Sequence, residues 1–169
     1  MTGQPTDAPE IDDLWDYNEP AGSEARFRAR LAQSEPGSPA YLELLTQIAR
    51  AQGLQRNFAD ANETLSKVQS VLSPGAARPR VRYLLEHGRV FNSSGQKPEA
   101  SARFLEAWQM AQAAGEDSFA VDAAHMLAIS QPPAEQTAWN LRAIAAAEQS
   151  AQPRARHWLA VQQPRLDAA

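Results

Sequence analysis

The chain has 169 residues, a net charge of −4 and no cysteine, and 43% of its residues are hydrophobic. This length predicts one domain that can bury a core, and the lack of cysteine excludes disulfides and thiolate metal sites. The acidic balance argues against a nucleic-acid-binding protein, which usually carries a clustered basic face. Alanine is abundant and strand-favouring runs are missing, so the composition predicts an all-α fold.

The chain begins with an acidic segment, and we predict that residues 1–22 form a flexible arm. Residues 1–24 contain seven acids and no base, and the first ten residues lack the basic and apolar regions of a secretory signal. Four apolar residues stand among these acids: Ile11, Leu14, Trp15 and Tyr17. Acidic segments with spaced apolar residues often become ordered on binding. We expect Trp15 to pack against the helices of its own chain or of a second copy; the alternative is a disordered leader.

Residues 23–163 are predicted to form one domain, in which signals for helix starts and stops separate consecutive helices. Ser23 is placed to cap the first helix, and Ser38 followed by Pro39 has the arrangement of an N-cap and a first helical position. Gly115 is placed to end a later helix. The predicted helix pairs span about 39–74, 79–115 and 117–150, with a capping helix at 153–161 and a frayed tail at 164–169.

The segment 83–107 places small and bulky residues where two helices are predicted to cross. Gly88 and Ala100 are small enough for a close crossing, and Phe91 and Phe104 can fill the space beside it. A set of apolar residues recurs at an offset of 39: Ala61, Leu65 and Val68 correspond to Ala100, Phe104 and Ala107. A weaker third copy has an offset of 40: Leu127 and Ala128 correspond to His87 and Gly88. The chain is therefore predicted to contain internal repeats.

This pattern resembles the tetratricopeptide repeat, which has a small residue flanked by large ones on its first helix and A-x3-F on its second. The resemblance covers about residues 39–150, with two good copies and a degenerate third. It implies a right-handed superhelical solenoid of antiparallel helix pairs. It also implies a concave groove, lined mainly by the first helix of each pair, where the family usually binds extended peptides.

The residues predicted to line this groove lie three or four apart, on the side of each first helix that faces away from the core. The predicted partner-binding residues are Glu43, Gln47, Arg50, Arg82, Glu86, Arg89, Asn92, Asp122 and His125. Arg50 and Arg89 have equivalent positions in neighbouring repeats, so we expect two adjacent guanidiniums that can hold a partner's carboxylate. The alternative is that Glu86 and Arg89 pair with each other on a solvated face.

The other candidate residues do not indicate catalysis. His87 falls at a core position, whereas His125 is the histidine that can face the groove, and the histidine spacing does not match a metal site. The sequence contains no phosphate-binding loop, dinucleotide fingerprint or nucleophile elbow. We therefore expect a protein without enzymatic activity, cofactor or metal.

The expected function is a protein–protein interaction module, an adaptor or scaffold that binds a peptide or protein segment in the groove. The alternative is a helical module that senses a ligand or signal peptide and acts on a regulatory partner in trans. A deep apolar pocket favours the sensor, and an open polar groove favours the adaptor. No stretch approaches the roughly 18 apolar residues of a membrane span, so we expect a cytoplasmic, bacterial-type protein without membrane or nucleic-acid partners. The solenoid ends and the N-terminal arm are candidate homodimer surfaces.

Overall fold

The structure, a computed structural model, describes residues 10–166, with side chains up to residue 160. Residues 1–9 of the predicted arm and 167–169 of the predicted tail lie outside this range. A 3₁₀ turn at Ile11–Leu14 precedes the helices of the described range. These are α1 (Pro20–Leu31), α2 (Pro39–Leu54), α3 (Phe58–Val71), α4 (Ala77–Ser93), α5 (Lys97–Ala114), α6 (Asp117–Ser130), α7 (Pro133–Gln149) and α8 (Pro153–Leu166). Residues 10–166 contain no strand, which confirms the all-α class.

Two of the predicted helix boundaries are confirmed and a third differs. The Ser38 hydroxyl accepts a hydrogen bond from the backbone nitrogen of Tyr41 at 3.2 Å, so Ser38 caps α2 as predicted. Gly115 ends α5 with a φ of 69°, in the left-handed region that glycine adopts without strain. Ser23 does not cap α1, because the helix already begins at Pro20, and proline is favoured at a first helical position.

The last helix is longer than predicted. The sequence places a capping helix at 153–161 and a frayed tail from residue 164. In the structure α8 runs from Pro153 to Leu166, so residues 164–166 belong to the helix. Proline keeps a helical φ although it lacks the backbone donor, and a proline near the end of a helix therefore does not fix where the helix stops.

The helices pack in a regular order along the chain. Each helix contacts the next one, and α2, α4, α6 and α8 also contact one another in series. We call these four helices the even-helix row. Side chains that are far apart in the sequence come together on this row because every second helix contributes to it. Among residues 10–166, no helix is both long and apolar enough to cross a membrane.

The crossing of α4 and α5 is as close as the small residues predict. Phe104 and Ala100 on α5 are fully buried in the main core cluster. The Phe104 ring lies against Gly88 of α4, where an added Cβ atom would be only 2.5 Å from Cε1 of Phe104. That distance is shorter than a non-bonded carbon–carbon contact, so any side chain at position 88 forces the Phe104 ring or the helices to move.

Replacing Gly88 tests this crossing directly. We expect Gly88→Ala to destabilise the fold by about 1–3 kcal/mol, because the methyl group overpacks the Phe104 ring. Alanine is the better helix former by about 1 kcal/mol, which offsets part of the strain. The measurement is the free energy of unfolding in urea.

Gly53→Ala is the matched control for this substitution. A Cβ atom at Gly53 of α2 would meet Val90 at an ordinary 3.7 Å, so alanine is expected to be neutral or stabilising there. Equal free energies of unfolding for the two variants would contradict the packing described for Gly88.

Candidate partner-binding site

Three of the predicted groove residues lie on α2, and the N-terminal end of the described chain contacts two of them, Gln47 and Arg50. Gln47 is 1% exposed, and its side-chain oxygen accepts a hydrogen bond from the indole nitrogen of Trp15 at 2.9 Å. The Arg50 guanidinium lies 5.4 Å from the ring centroid of Trp15 and 5.1 Å from that of Tyr17. Glu43 is also buried. The surface that the sequence predicts as an open groove on α2 is therefore in contact with the chain itself.

The predicted residues of α4 are held in ion pairs. Arg82 is 3% exposed, and its Nε atom lies 2.8 Å from a carboxylate oxygen of Glu43. Arg89 donates a hydrogen bond to Oε1 of Glu86 at 2.7 Å. The guanidinium of Arg50 lies 3.9 Å from the same oxygen. The two guanidiniums predicted to hold a partner's carboxylate thus share a carboxylate of their own chain. The Glu86–Arg89 pair of the alternative interpretation is present, but Glu86 is buried and the pair does not lie on a solvated face.

Asp122, His125 and Asn92 complete the predicted set. Arg89 donates to both carboxylate oxygens of Asp122 at 2.6 Å, which links α4 to α6. The His125 ring packs edge-on against Trp158 of α8, with 5.4 Å between the ring centroids. Asn92 is half-buried and lines a further cavity of about 200 Å³, which Arg50, Glu86 and Arg89 also line. The structure therefore brings seven of the nine predicted residues together and leaves Asn92 and His125 at the margins.

The residues that cover this site belong to the N-terminal segment, by which we mean Glu10–Tyr17. Asp12 accepts hydrogen bonds from Arg82 at 3.3 and 3.1 Å and also pairs with Arg154 of α8. Trp15 stacks on Tyr17 with 4.8 Å between the ring centroids, and its edge faces the buried ring of Phe27. The segment therefore contacts the even-helix row through one carboxylate and two aromatic rings.

The ion pairs of the site form two networks. The balanced network contains two guanidiniums and two carboxylates: Arg50, Arg89, Glu86 and Asp122. The Asp12 network contains three guanidiniums and, besides Asp12, two carboxylates: Arg78, Arg82, Arg154, Glu43 and Glu116. Without Asp12 the second network would carry one uncompensated positive charge. The N-terminal segment thus supplies the carboxylate that the helices lack.

The electrostatics of the carboxylates reflect this pairing. Burial alone would raise the pKa of Asp12, but hydrogen bonds and positive charge from Arg154 and Arg82 lower it to about 2. Burial would likewise raise the pKa of Asp122, and the neighbouring charges of Arg89 and Arg50 lower it instead. Both carboxylates are therefore ionised at neutral pH and act as fixed negative charges of the site.

Two neighbouring cavities adjoin the Asp12 network and share Asp12 and Arg154 in their lining. The first, of about 190 Å³, is lined by the balanced network, by Asp12, Arg82 and Arg154, and by the aromatic rings of Tyr17, Phe119 and Trp158. The second, of about 420 Å³, continues past Asp12 towards Arg78 and Gln152. The polar lining of both cavities suits a charged or hydrogen-bonding segment better than an apolar small molecule.

His87, for which the sequence predicts a core position, lies outside the site and is half-buried beside two aromatic residues of its own helix, α4. Its ring stacks on Phe91 with 4.4 Å between the centroids and faces Tyr83 at 5.4 Å. Burial, with a smaller contribution from the positive charge of Arg103, lowers the pKa of His87 to about 4. His87 is therefore a neutral packing residue at physiological pH.

Comparison of the chain with protein-family models, with curated proteins and with solved structures found no match. Within residues 10–166 no cluster of histidine, aspartate and glutamate could hold a metal ion. The site combines one buried arginine, Arg82, with one buried amide, Gln47, and the N-terminal segment hydrogen-bonds to both.

Sequence reasoning missed Asp12 and Arg154 as members of the site. They are 142 residues apart, and no spacing rule connects them. The available signal was the excess of acids in the N-terminal segment over an arginine-rich helical domain. That signal predicts attraction between the two, but it does not single out Asp12 among seven acids.

Replacing Asp12 by asparagine tests the Asp12 network through its pH dependence. The folded-state pKa of about 2 lies below the ordinary 3.8, so the carboxylate stabilises the fold above pH 3.8 and this contribution disappears as the pH falls towards 2. We expect Asp12→Asn to lose about 2 kcal/mol of unfolding free energy at pH 7. The loss should shrink at pH 3, as measured by urea unfolding at both values.

Asp13→Asn provides the control, because it removes the same charge one residue away. Asp13 is exposed and accepts only a backbone hydrogen bond, from Glu10 at 3.2 Å, which asparagine can also accept. We expect its effect to stay within about 0.5 kcal/mol, as is usual for surface substitutions. Equal losses for the two variants at pH 7 would contradict the assigned role of Asp12.

Proposed function

We propose that the protein is a non-enzymatic interaction module, an adaptor or scaffold of the tetratricopeptide-repeat type, that binds a peptide or protein segment on the even-helix row. In this proposal the helix pairs form a right-handed superhelical solenoid, and α2, α4 and α6 line its concave groove. The observation that carries it is the N-terminal segment, which lies on this surface as a peptide ligand would. The proposal involves no cofactor and no catalytic step, and it places the protein in a bacterial cytoplasm.

The nature of the surface supports an adaptor over a sensor of small molecules. A small-molecule pocket is usually concave and mostly apolar, with a few polar groups. Here the cavities beside Asp12 are lined largely by guanidiniums and carboxylates. Charged groups arranged along a row of helices favour recognition of an extended segment with complementary side chains.

The surface continues beyond the N-terminal segment, at the C-terminal ends of α2 and α4. Leu54 is 50% exposed there and lines the 200 Å³ cavity together with Val90, Asn92 and Met126. An exposed leucine beside a cavity offers apolar contact area to a partner. This part of the surface is accessible without displacement of any described residue.

Leu54→Asp tests the proposal at this accessible end. We expect the charge to weaken partner binding by tenfold or more, because a desolvated carboxylate beside an apolar contact costs well over the roughly 1.4 kcal/mol of a tenfold change. The measurement is affinity capture from cells of the source organism, with quantification of each retained protein. Wild type and Leu54→Asp are compared with Leu141→Asp.

Leu141→Asp is the matched control, since Leu141 is 59% exposed but lies on α7, outside the even-helix row. A protein retained by wild type and Leu141→Asp and lost from Leu54→Asp supports the proposed site. Retention by all three, or loss from Leu141→Asp alone, would place the interface elsewhere. Thermal unfolding of both variants confirms that they are folded.

A further inference from the structure

We propose that the N-terminal segment is an internal ligand that occupies the partner's place, and that the partner presents the same chemistry. That chemistry is a carboxylate followed three residues later by an aromatic residue with a hydrogen-bond donor, as in Asp12 and Trp15. The inference rests on the proposed function and specifies its partner class: an acidic peptide segment that competes with the chain's own residues. Three features of the contact between segment and row carry it.

The first feature is the charge of the Asp12 network. Arg82 is almost completely buried, and Arg154 joins it at the same carboxylate of Asp12. A buried guanidinium that loses an ion-pair partner is strongly destabilising unless another anion replaces it. If the segment leaves, Arg82 keeps only Glu43 as an ion-pair partner, so the site favours an incoming carboxylate, which can accept two hydrogen bonds from a guanidinium.

The second feature is the buried amide of Gln47. Its oxygen accepts a hydrogen bond from the indole N–H of Trp15, and its nitrogen donates a hydrogen bond to the hydroxyl of Thr46 at 3.2 Å. If Trp15 leaves, this buried oxygen loses its donor, at a cost comparable to that of a broken hydrogen bond. An incoming tryptophan restores the bond and the contact with the Arg50 guanidinium. The helices fix the distance between the Arg82 guanidinium, which binds the carboxylate, and the Gln47 oxygen, which binds the indole N–H. This distance selects a carboxylate and an aromatic donor three residues apart.

The third feature is the way in which the segment is attached. Within the part of the chain that the structure describes, its hydrogen bonds and ring contacts with the even-helix row are made by side chains: Asp12, Trp15 and Tyr17. Its backbone bonds go instead to α1, where Asp16 bonds with Ser23 and the Leu14 carbonyl accepts from Arg26 at 2.8 Å. A competing peptide therefore has only side-chain contacts to replace on the row.

The test uses a fluorescent peptide with the sequence of residues 10–19, EIDDLWDYNE, added to the full-length protein. Asp12→Lys repels the chain's own segment from Arg82 and Arg154 and so exposes the site to the peptide. The apparent affinity for the peptide is low when few protein molecules have an open site, and it rises as more sites open. We therefore expect the peptide to bind Asp12→Lys about tenfold or more tightly than wild type. Glu148→Lys, with the same charge change at an exposed position of α7 outside the segment and the even-helix row, should match wild type.

Two altered peptides determine whether the binding has the proposed chemistry. Lysine in place of the aspartate that corresponds to Asp12, or alanine in place of the tryptophan, should each lower affinity for Asp12→Lys about tenfold or more. Equal affinity of the original peptide for all three proteins would overturn the inference, as would its failure to bind a folded Asp12→Lys. Such a failure leaves the Leu54→Asp comparison intact, since that variant retains the segment.

A second experiment does not depend on the folding of Asp12→Lys. A protease site is inserted between Asn18 and Glu19, which are exposed and precede α1, and the folded protein is cut. We expect the freed N-terminal piece to remain bound and to be released by excess EIDDLWDYNE, but not by the alanine peptide, as followed by gel filtration. A piece that no peptide displaces would be a permanent part of the core and would overturn the inference.

Discussion

Arg82 places a full positive charge inside the even-helix row, with 3% of its surface exposed. A buried charge is tolerated only when ion pairs and hydrogen bonds replace the water it has lost. Glu43 from α2 and Asp12 from the N-terminal segment supply those interactions, and its guanidinium also lies 4.8 Å from the ring centroid of Phe119 on α6. One side chain therefore joins three helices and the segment, and the arrangement of the site depends on it.

The segment has a structural role as well as a charge role. Phe27, Leu44 and Ile48 form a core cluster of their own, and Ile11, Leu14 and Trp15 pack against it. The apolar contacts hold the segment near α1 and α2, while its Asp12 carboxylate reaches across the row to Arg154 of α8. The combination explains how an acidic stretch without a core of its own acquires a defined position. The segment is thus attached by apolar contacts with a cluster formed by α1 and α2, and its polar and charged contacts with the even-helix row are made in addition.

Local chemistry in the sequence predicted much of the fold. The Ser38 cap, the Gly115 stop and the close crossing at Gly88 follow from the backbone preferences and sizes of single residues, and the structure has all three. The site was harder to predict. Register identified the residues that share a face, but it predicted Glu43 and Gln47 in an open groove. Both are buried. Gln47 contacts Trp15 of the segment, 32 residues away in sequence, and Glu43 pairs with Arg78 and Arg82 of α4. Periodicity carries no information about such contacts.

The residues Glu10–Tyr17 lie on the even-helix row of their own chain. The most direct measurement is nuclear Overhauser spectroscopy of the full-length protein, with assignment of the Trp15 indole N–H. The structure predicts cross-peaks between this proton and the side chain of Gln47, with relative intensities that do not change on tenfold dilution. An indole N–H without contacts to Gln47, or contacts found only between differently labelled copies, would contradict the account.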